Sequence, residues 1–374
     1  MKLARKVLLG LTMLTIVCGV SLSAAADETI KFGVVGAHSG DLASYGLPAV
    51  NAAKLVIDKI NANGGINGKK VELLTEDDEC KPEKATNAAT KLISEKVDVV
   101  LGHICSGATI AAMPLWKDAG VLVMSPSATN DPLTFSGDYP NFFRTIAPNA
   151  AQSPAMIDFA ADKLGLTKFA IIHDKADYGK PLAEGAKRYA EENKKGEVVL
   201  FEGITPGAVD YSAIVQKVKR SGAEVIIYGG YHPEASKIVN IMKKKRLKVK
   251  FVSDDGVKDD TFIKVAGKAS EGVYAAGPQD NSANPLAIQA KEEHIKAFGS
   301  DPGAFFESSY AAAQAILNAV AKADSTKLED LKKVLQTEKV ATPVGNINFD
   351  KKGDAVGVGL SMYVVKDGKY VVAE

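Results

Sequence analysis

Val97 to Leu101 is an apolar run of strand length that stops at Gly102, and His103-Ile104-Cys105-Ser106-Gly107-Ala108-Thr109 leads from it into a helix-compatible segment. A buried strand feeding a helix through a short loop is the repeating unit of a parallel sheet with helices on both faces. The junction has a chemical consequence. Free backbone N–H groups and the helix dipole meet at the strand tip, which therefore suits an anion. Val121-Leu122-Val123-Met124 runs into Ser125-Pro126-Ser127-Ala128-Thr129 in the same design. Two such tips side by side make a socket for a small carboxylate.

The alternation begins earlier and then restarts. Ile30–Gly36 reads as a buried strand, Leu47–Ala62 as a helix, Asn63–Gly68 as a tight turn, Val71–Thr75 as a strand and Lys84–Lys96 as a helix. Lys168–His173 echoes the strand at Lys31–Gly36, Ala223–Gly229 echoes the one ending at Gly102, and Val249–Val252 ends in Ser253-Asp254-Asp255-Gly256, echoing the tip at Ser125. The order of tips points to two copies of one α/β lobe. Towards the C-terminus, Ala304–Ala323 and Leu328–Leu335 read as helices, and Gly345–Phe349 and Val358–Val365 as strands. No low-complexity linker separates the halves, which implies lobes joined by several crossings acting as a hinge.

The first 26 residues read as a cleaved export signal: Lys2, Arg5 and Lys6, then an apolar stretch from Val7 to Val20, then Ala24-Ala25-Ala26. Bulky Val17 before Cys18 argues against lipid attachment. Three of the 46 Lys and Arg residues lie in this leader and none of the 45 Asp and Glu, so the mature chain carries a net charge near −2. That balance gives no basis for nucleic-acid binding. Cleavage leaves two cysteines, Cys80 and Cys105. An exported chain with one pair most economically forms a disulfide, two free thiols being the alternative. No further soft ligands lie nearby in sequence and the five histidines show no HxxxH spacing, so no metal is expected.

Enzyme signatures are absent. The chain has no GxSxG and no HExxH; Gly33–Gly40 is glycine-rich without being GxGxxG; Asn67-Gly68-Lys69-Lys70 lacks the first Walker glycine and the Ser or Thr that would bind magnesium. Asp77-Asp78-Glu79 reads as a solvated loop and Lys243–Arg246 as a solvated helix end. Ser106 and Thr109 could serve merely as helix caps, and Tyr178, Tyr228 and Tyr231 as packing residues. A socket without a reacting group favours capture over chemistry.

Several segments together resemble the periplasmic Leu/Ile/Val-binding proteins of branched-chain amino acid ABC transporters. They are Val34–Gly40 with Tyr45-Gly46, Ile60–Gly68, Asp77–Cys80, Gly102–Ser106, His173-Asp174-Lys175 with Tyr178-Gly179, and Tyr228–Glu234. The resemblance spans nearly the whole mature chain. It implies an α/β fold of two doubly wound parallel-sheet lobes joined by a three-crossing hinge, the type I periplasmic-binding fold. The crossings would fall near Ile146–Asn149, Gly277–Pro278 and Gly359–Leu360. The first lobe would comprise residues 27–147 plus 278–359, and the second 148–277 plus 360–374. Also implied are a Cys80–Cys105 disulfide, no cofactor, a monomer in the periplasm, and an inner-membrane permease driven by a separate ATPase as partner.

Position by position, the resemblance assigns Ser106 and Thr129 to the ligand carboxylate and the Ser127 carbonyl to its ammonium. Neighbouring Ala128 belongs to the same tip. Tyr45, Tyr178 and Tyr231 surround the ligand, Ile104 forms an apolar wall, and Tyr310 is a further lining candidate. Asp255 stands where the best-known members carry glutamate. It would pair with the ammonium from one methylene further back, through fuller closure or a bridging water; Asp254 is the competing acid. The physical logic is that of a zwitterion, whose buried charges each need partners. Each enclosed CH₂ contributes about 0.8 kcal/mol, and one or two missing methylenes change affinity only ~10-fold. Leu, Ile and Val should therefore be weakly distinguished. Alternative readings are a ligand-sensing module, or a binder or hydrolase of another small amino or amide compound.

Overall fold

The structure is a computed structural model and describes residues 29–373; the expected export signal, with Cys18, and Glu374 lie outside the described residues. The first sheet contains β1 (Ile30–Gly36), β2 (Val71–Asp77), β3 (Val99–Leu101), β4 (Leu122–Ser125) and β5 (Phe142–Arg144). Their order is β2-β1-β3-β4-β5, all parallel. The second sheet is built from β6 (Lys168–His173), β7 (Glu197–Gly203), β8 (Val225–Gly229), β9 (Lys250–Ser253) and β10 (Tyr274–Pro278), ordered β7-β6-β8-β9-β10. The two orders are identical when each lobe is counted from its own first strand, so the duplication read from the tips is a duplication of topology.

The core explains the sequence pattern. Val225 and Ile227 point to one apolar cluster of the second sheet, Ile226 and Tyr228 to the other. Strands covered on both faces have no solvent side, which is why they read as unbroken apolar runs. In the first lobe, helix Phe306–Ala323 packs against helix Ala43–Ala62 and onto β3 and β4. Its buried Ala311, Ala312, Ala313, Ala315 and Ala319 keep the approach close.

Three differences from the sequence reading have physical causes. First, the parallel sheet of the second lobe continues into β14 (Leu360–Lys366) and β15 (Lys369–Val372), both antiparallel. β14 returns from the other lobe without a crossover helix, and β15 follows it through a tight turn, so neither runs parallel. Between the lobes in sequence lies a small antiparallel sheet of β11 (Val340–Thr342), β12 (Gly345–Phe349) and β13 (Ala355–Val356). Second, β3 is shorter than Val97–Leu101: Val97 N–H still donates to the Leu92 carbonyl at the end of the preceding helix, and Asp98 N–H makes the first bond to β1, at the Lys31 carbonyl. Third, Gly277 and Pro278 belong to β10, and the chain leaves the second sheet only after them.

The chain passes between lobes three times: after β5, after β10 and between β13 and β14. Two of these crossings are tied together, since Gln279 N–H donates to the Gly359 carbonyl at 2.9 Å.

Cys80 and Cys105 are joined in a disulfide that closes a 25-residue separation. It ties the loop after β2 to the start of helix Ser106–Asp118. Restricting a loop of that length in the unfolded chain stabilises by about 3 kcal/mol. Replacing both cysteines by serine should lower the urea midpoint by a corresponding amount, and dithiothreitol should do the same to the native chain. Coincident unfolding curves would remove the stabilising role.

Candidate functional site

Parallel strands deliver their C-terminal ends to one edge of each sheet, and here the two edges face each other. Three helices begin at this meeting line: Ser106–Asp118 after β3, Gly179–Glu192 after β6 and His232–Lys244 after β8. Their preceding residues are Cys105, Tyr178 and Tyr231. Between the lobes lies a small, tightly closed cavity lined by Tyr45, Ile104, Cys105, Ser127, Tyr178, Tyr231, Asp255, Gly256 and Phe305.

Six of the expected residues therefore meet around one space. Tyr45, Ile104 and Ser127 come from the first lobe, Tyr178, Tyr231 and Asp255 from the second. Ser106, Ala128 and Thr129 do not line it; they are buried beside it. The reason lies in the tip after β4, which folds back on itself. Ser127 and Ala128 N–H groups turn to Ser125 Oγ at 3.3 and 2.9 Å. Ser106 Oγ accepts from Asn130 N–H at 3.3 Å. Thr129 Oγ1 is buried and has no hydrogen-bond partner among the described residues. Thr109 Oγ1 donates to the Cys105 carbonyl within its own helix, a purely local bond.

Asp255 rather than Asp254 faces the cavity. Its Oδ1 accepts from the Tyr178 hydroxyl, and its Oδ2 from Gln152 Nε2 at 2.7 Å. Asp254 Oδ2 instead accepts from Gly230 N–H at 2.8 Å and braces the loop before the His232 helix. Every group bound to Asp255 is neutral. Burial pushes its carboxyl up to about 6, against the opposing pull of the Tyr178 and Gln152 hydrogen bonds. Burial, then the neighbouring Asp255, also drives the Asp254 carboxyl upward. The phenols of Tyr45, Tyr178 and Tyr231 are raised by burial and stay protonated donors. Two acids held this way lack a counter-ion.

Behind the first-lobe tip stands a fully buried chain of polar groups. Trp116 Nε1 donates to His103 Nε2 at 3.0 Å, leaving His103 Nδ1 to meet Asp78 Oδ2 at 2.7 Å. Asp78 Oδ1 accepts from Cys80 N–H at 2.8 Å. Asp78 is thus a core residue, contrary to the solvated loop expected from its acidic neighbours. Tyr310 is likewise corrected. Its hydroxyl bonds Lys59 and Glu293 at 3.2 and 3.1 Å, on helix pairs away from the cavity.

Three lining residues escaped the sequence reading as ligand contacts. Phe305 precedes helix Phe306–Ala323 with a φ of 59°, and its ring lies 5.8 Å from that of Tyr45. No local motif marks it. Cys105 doubles as a disulfide partner, and Gly256 offers backbone only. Gln152, which holds Asp255, sits on helix Asn149–Asp158, beyond the first crossing.

The model of the periplasmic binding protein family matches residues 29–369. The chain belongs to that family. Among its relatives, the leucine-, isoleucine-, valine-, threonine- and alanine-binding protein of Pseudomonas aeruginosa is 35% identical over 92% of this chain and 91% of its own. The Leu/Ile/Val-binding protein of Escherichia coli is 34% identical over 91% of each. In structure, the chain is similar to the branched-chain amino acid transporter substrate-binding protein LivJ of Streptococcus pneumoniae, solved with isoleucine. The TM-score is 0.83, with 28% identity, 92% of this chain and 100% of that one covered. This periplasmic binding protein is accordingly a substrate-binding protein of the transport class and not an enzyme. No described helix is long and apolar enough to cross a membrane.

The raised Asp255 carboxyl has a testable sign. Folding raises its affinity for the proton, so the ligand-free native protein loses stability as pH climbs from about 4 through about 6. Asp255→Asn removes that ionisation. Relative to native protein, the ligand-free variant should gain on the order of 2–3 kcal/mol between pH 4 and pH 7. Urea titrations at both pH values measure it, and a pH-independent difference would contradict the buried, unpaired acid.

Proposed function

We propose that this chain captures a free neutral amino acid, of the Leu, Ile and Val class, between its lobes and releases it to an inner-membrane ABC permease. The observation that carries this reading is Asp255: a buried carboxyl facing the cavity, held only by neutral groups and opposite the tip that includes Ser127. An α-ammonium would supply its missing charge. At the other end, the N-terminus of helix Ser106–Asp118 suits a carboxylate, with Ser127 on the cavity wall and the unpartnered Thr129 hydroxyl buried beside it. Tyr45, Ile104, Tyr231 and Phe305 enclose the side chain with surface that carries no charge. Relatives whose names specify leucine, isoleucine and valine support the same ligand class.

Hinged closure follows from the division of the site. Residues 29–147 with 279–359, and 148–278 with 360–373, form the two moving bodies, and each contributes part of the lining. A ligand that touches both halves favours the shut state, because only there are all contacts made. The export signal ending before Asp27 delivers the chain to the periplasm, where it works as a monomer without a cofactor.

Calorimetric titration with leucine, isoleucine, valine, threonine and alanine tests the reading. The native protein should bind at least one of them, with modest discrimination among the three branched-chain members. Asp255→Asn should weaken binding at pH 7.5 by roughly 30-fold to several thousand-fold, the range for removing one partner of a buried charge pair. Unchanged affinity in the variant would exclude Asp255 as the counter-ion.

A further inference from the structure

We propose that Asn130 is the strap that holds the cleft shut: a positioning residue that sets how long any ligand is retained without touching it. The proposal rests on the amino-acid-capture reading above. Asn130 follows Thr129 in the first-lobe tip and does not line the cavity. Its backbone is pinned at both ends within its own lobe. The N–H donates to Ser106 Oγ at 3.3 Å, and the carbonyl accepts from Arg144 Nη1 at 2.9 Å. Arg144 is fully buried and also donates from Nε to Asp354 Oδ1 at 2.5 Å. Arg144 closes β5 just before the first crossing, and Asp354 precedes β13 and the third. The strap is thus anchored to the hinge.

From that anchor the side chain reaches the other lobe. Asn130 Nδ2 donates to the Asp177 carbonyl at 2.5 Å, and only 4% of Asn130 is exposed. Asp177 immediately precedes Tyr178, whose hydroxyl holds Asp255. The two lobes touch closely here. A Cβ added to Gly107 would lie 3.2 Å from Asp177 Oδ2. One hydrogen bond therefore links the residue beside Thr129 to the residue beside Tyr178. It exists only with the lobes together; opening exposes both of its atoms to water. On the other side of the cavity, the Tyr45 hydroxyl donates to the Gly256 carbonyl across the same seam at 2.5 Å. Tyr45 lines the cavity, so its loss would mix closure with ligand contact. Asn130 separates the two.

Titration and stopped-flow release of leucine, isoleucine, valine and alanine, from native protein, Asn130→Ala, Asn130→Leu and Asn130→Asp, provide the test. Asn130→Ala should weaken every ligand that the native protein binds by one common factor, about 5- to 30-fold, expressed mainly as faster release. Ratios between ligands should stay as in the native chain. Asn130→Asp keeps the shape but sets a carboxylate oxygen against the Asp177 carbonyl. Its deficit relative to native protein should be larger at pH 8 and shrink towards pH 5, where a protonated carboxyl can donate. A packing role would instead be restored by Asn130→Leu, which keeps the volume without a donor, so native affinity and release rate in that variant would overturn the strap; Asn130→Asp carries the test if the alanine variant unfolds. Native affinity and release rate in both Asn130→Ala and Asn130→Asp would overturn the strap while leaving the capture reading standing. A loss that differs between ligands would also overturn it, placing Asn130 in ligand contact. Failure of native protein to bind any of the four would overturn both.

Discussion

Parallel pairing is the constraint from which the rest of the molecule follows. Strands that run the same way end at the same edge, and each must return through a helix whose first N–H groups are left over at that edge. Buried polar residues such as Ser106, Ser127, Asp174 and Asp255 gather at these edges, where leftover N–H groups need partners. Facing two such edges across a hinge makes a closed space lined by the Ser127 hydroxyl, three phenols and the Asp255 carboxyl, with Ile104 and Phe305 supplying apolar surface. The cleft is therefore a product of the fold class before any particular ligand is considered.

Within that space a single charged group decides the chemistry. Asp255 sits where burial disfavours its ionised form, and the structure answers with two neutral hydrogen bonds and no cation. Stability and binding are set in opposition at this residue. In the proposed reading, the missing charge that disfavours the ionised Asp255 would be supplied by a ligand's ammonium. Adjacent Asp254 shows how finely this is arranged. One residue earlier in the chain, its carboxylate turns away to receive the Gly230 N–H and shapes the loop instead of the site.

The tips themselves would be pliable without support from behind. His103, Asp78 and Trp116 form a chain with no exposed member beneath the first tip. Arg144 gathers the carbonyls of Ala128 and Asn130 under the second. Breaking one member of such a buried charged arrangement costs ~3–5 kcal/mol. A tip that drifted would misplace the groups that line the cavity.

Much of this was legible in the linear chain. Apolar runs ending at Gly102 and Ser125, and their echoes at Gly229 and Ser253, determined a duplicated α/β architecture, because strand periodicity and turn chemistry are local properties. The disulfide partners and the aromatic positions Tyr45, Tyr178 and Tyr231 were legible through family resemblance. The orientation of each group was not. Ser106 and Thr129 lie behind the cavity, Tyr310 bonds Lys59 and Glu293, Phe305 enters from a left-handed turn, and Gln152 reaches Asp255 across 103 residues of sequence. Local pattern decides which segments become strands and where they stop. Which atoms face the ligand is decided by contacts between distant segments, and those exist only once two sheets have closed on each other.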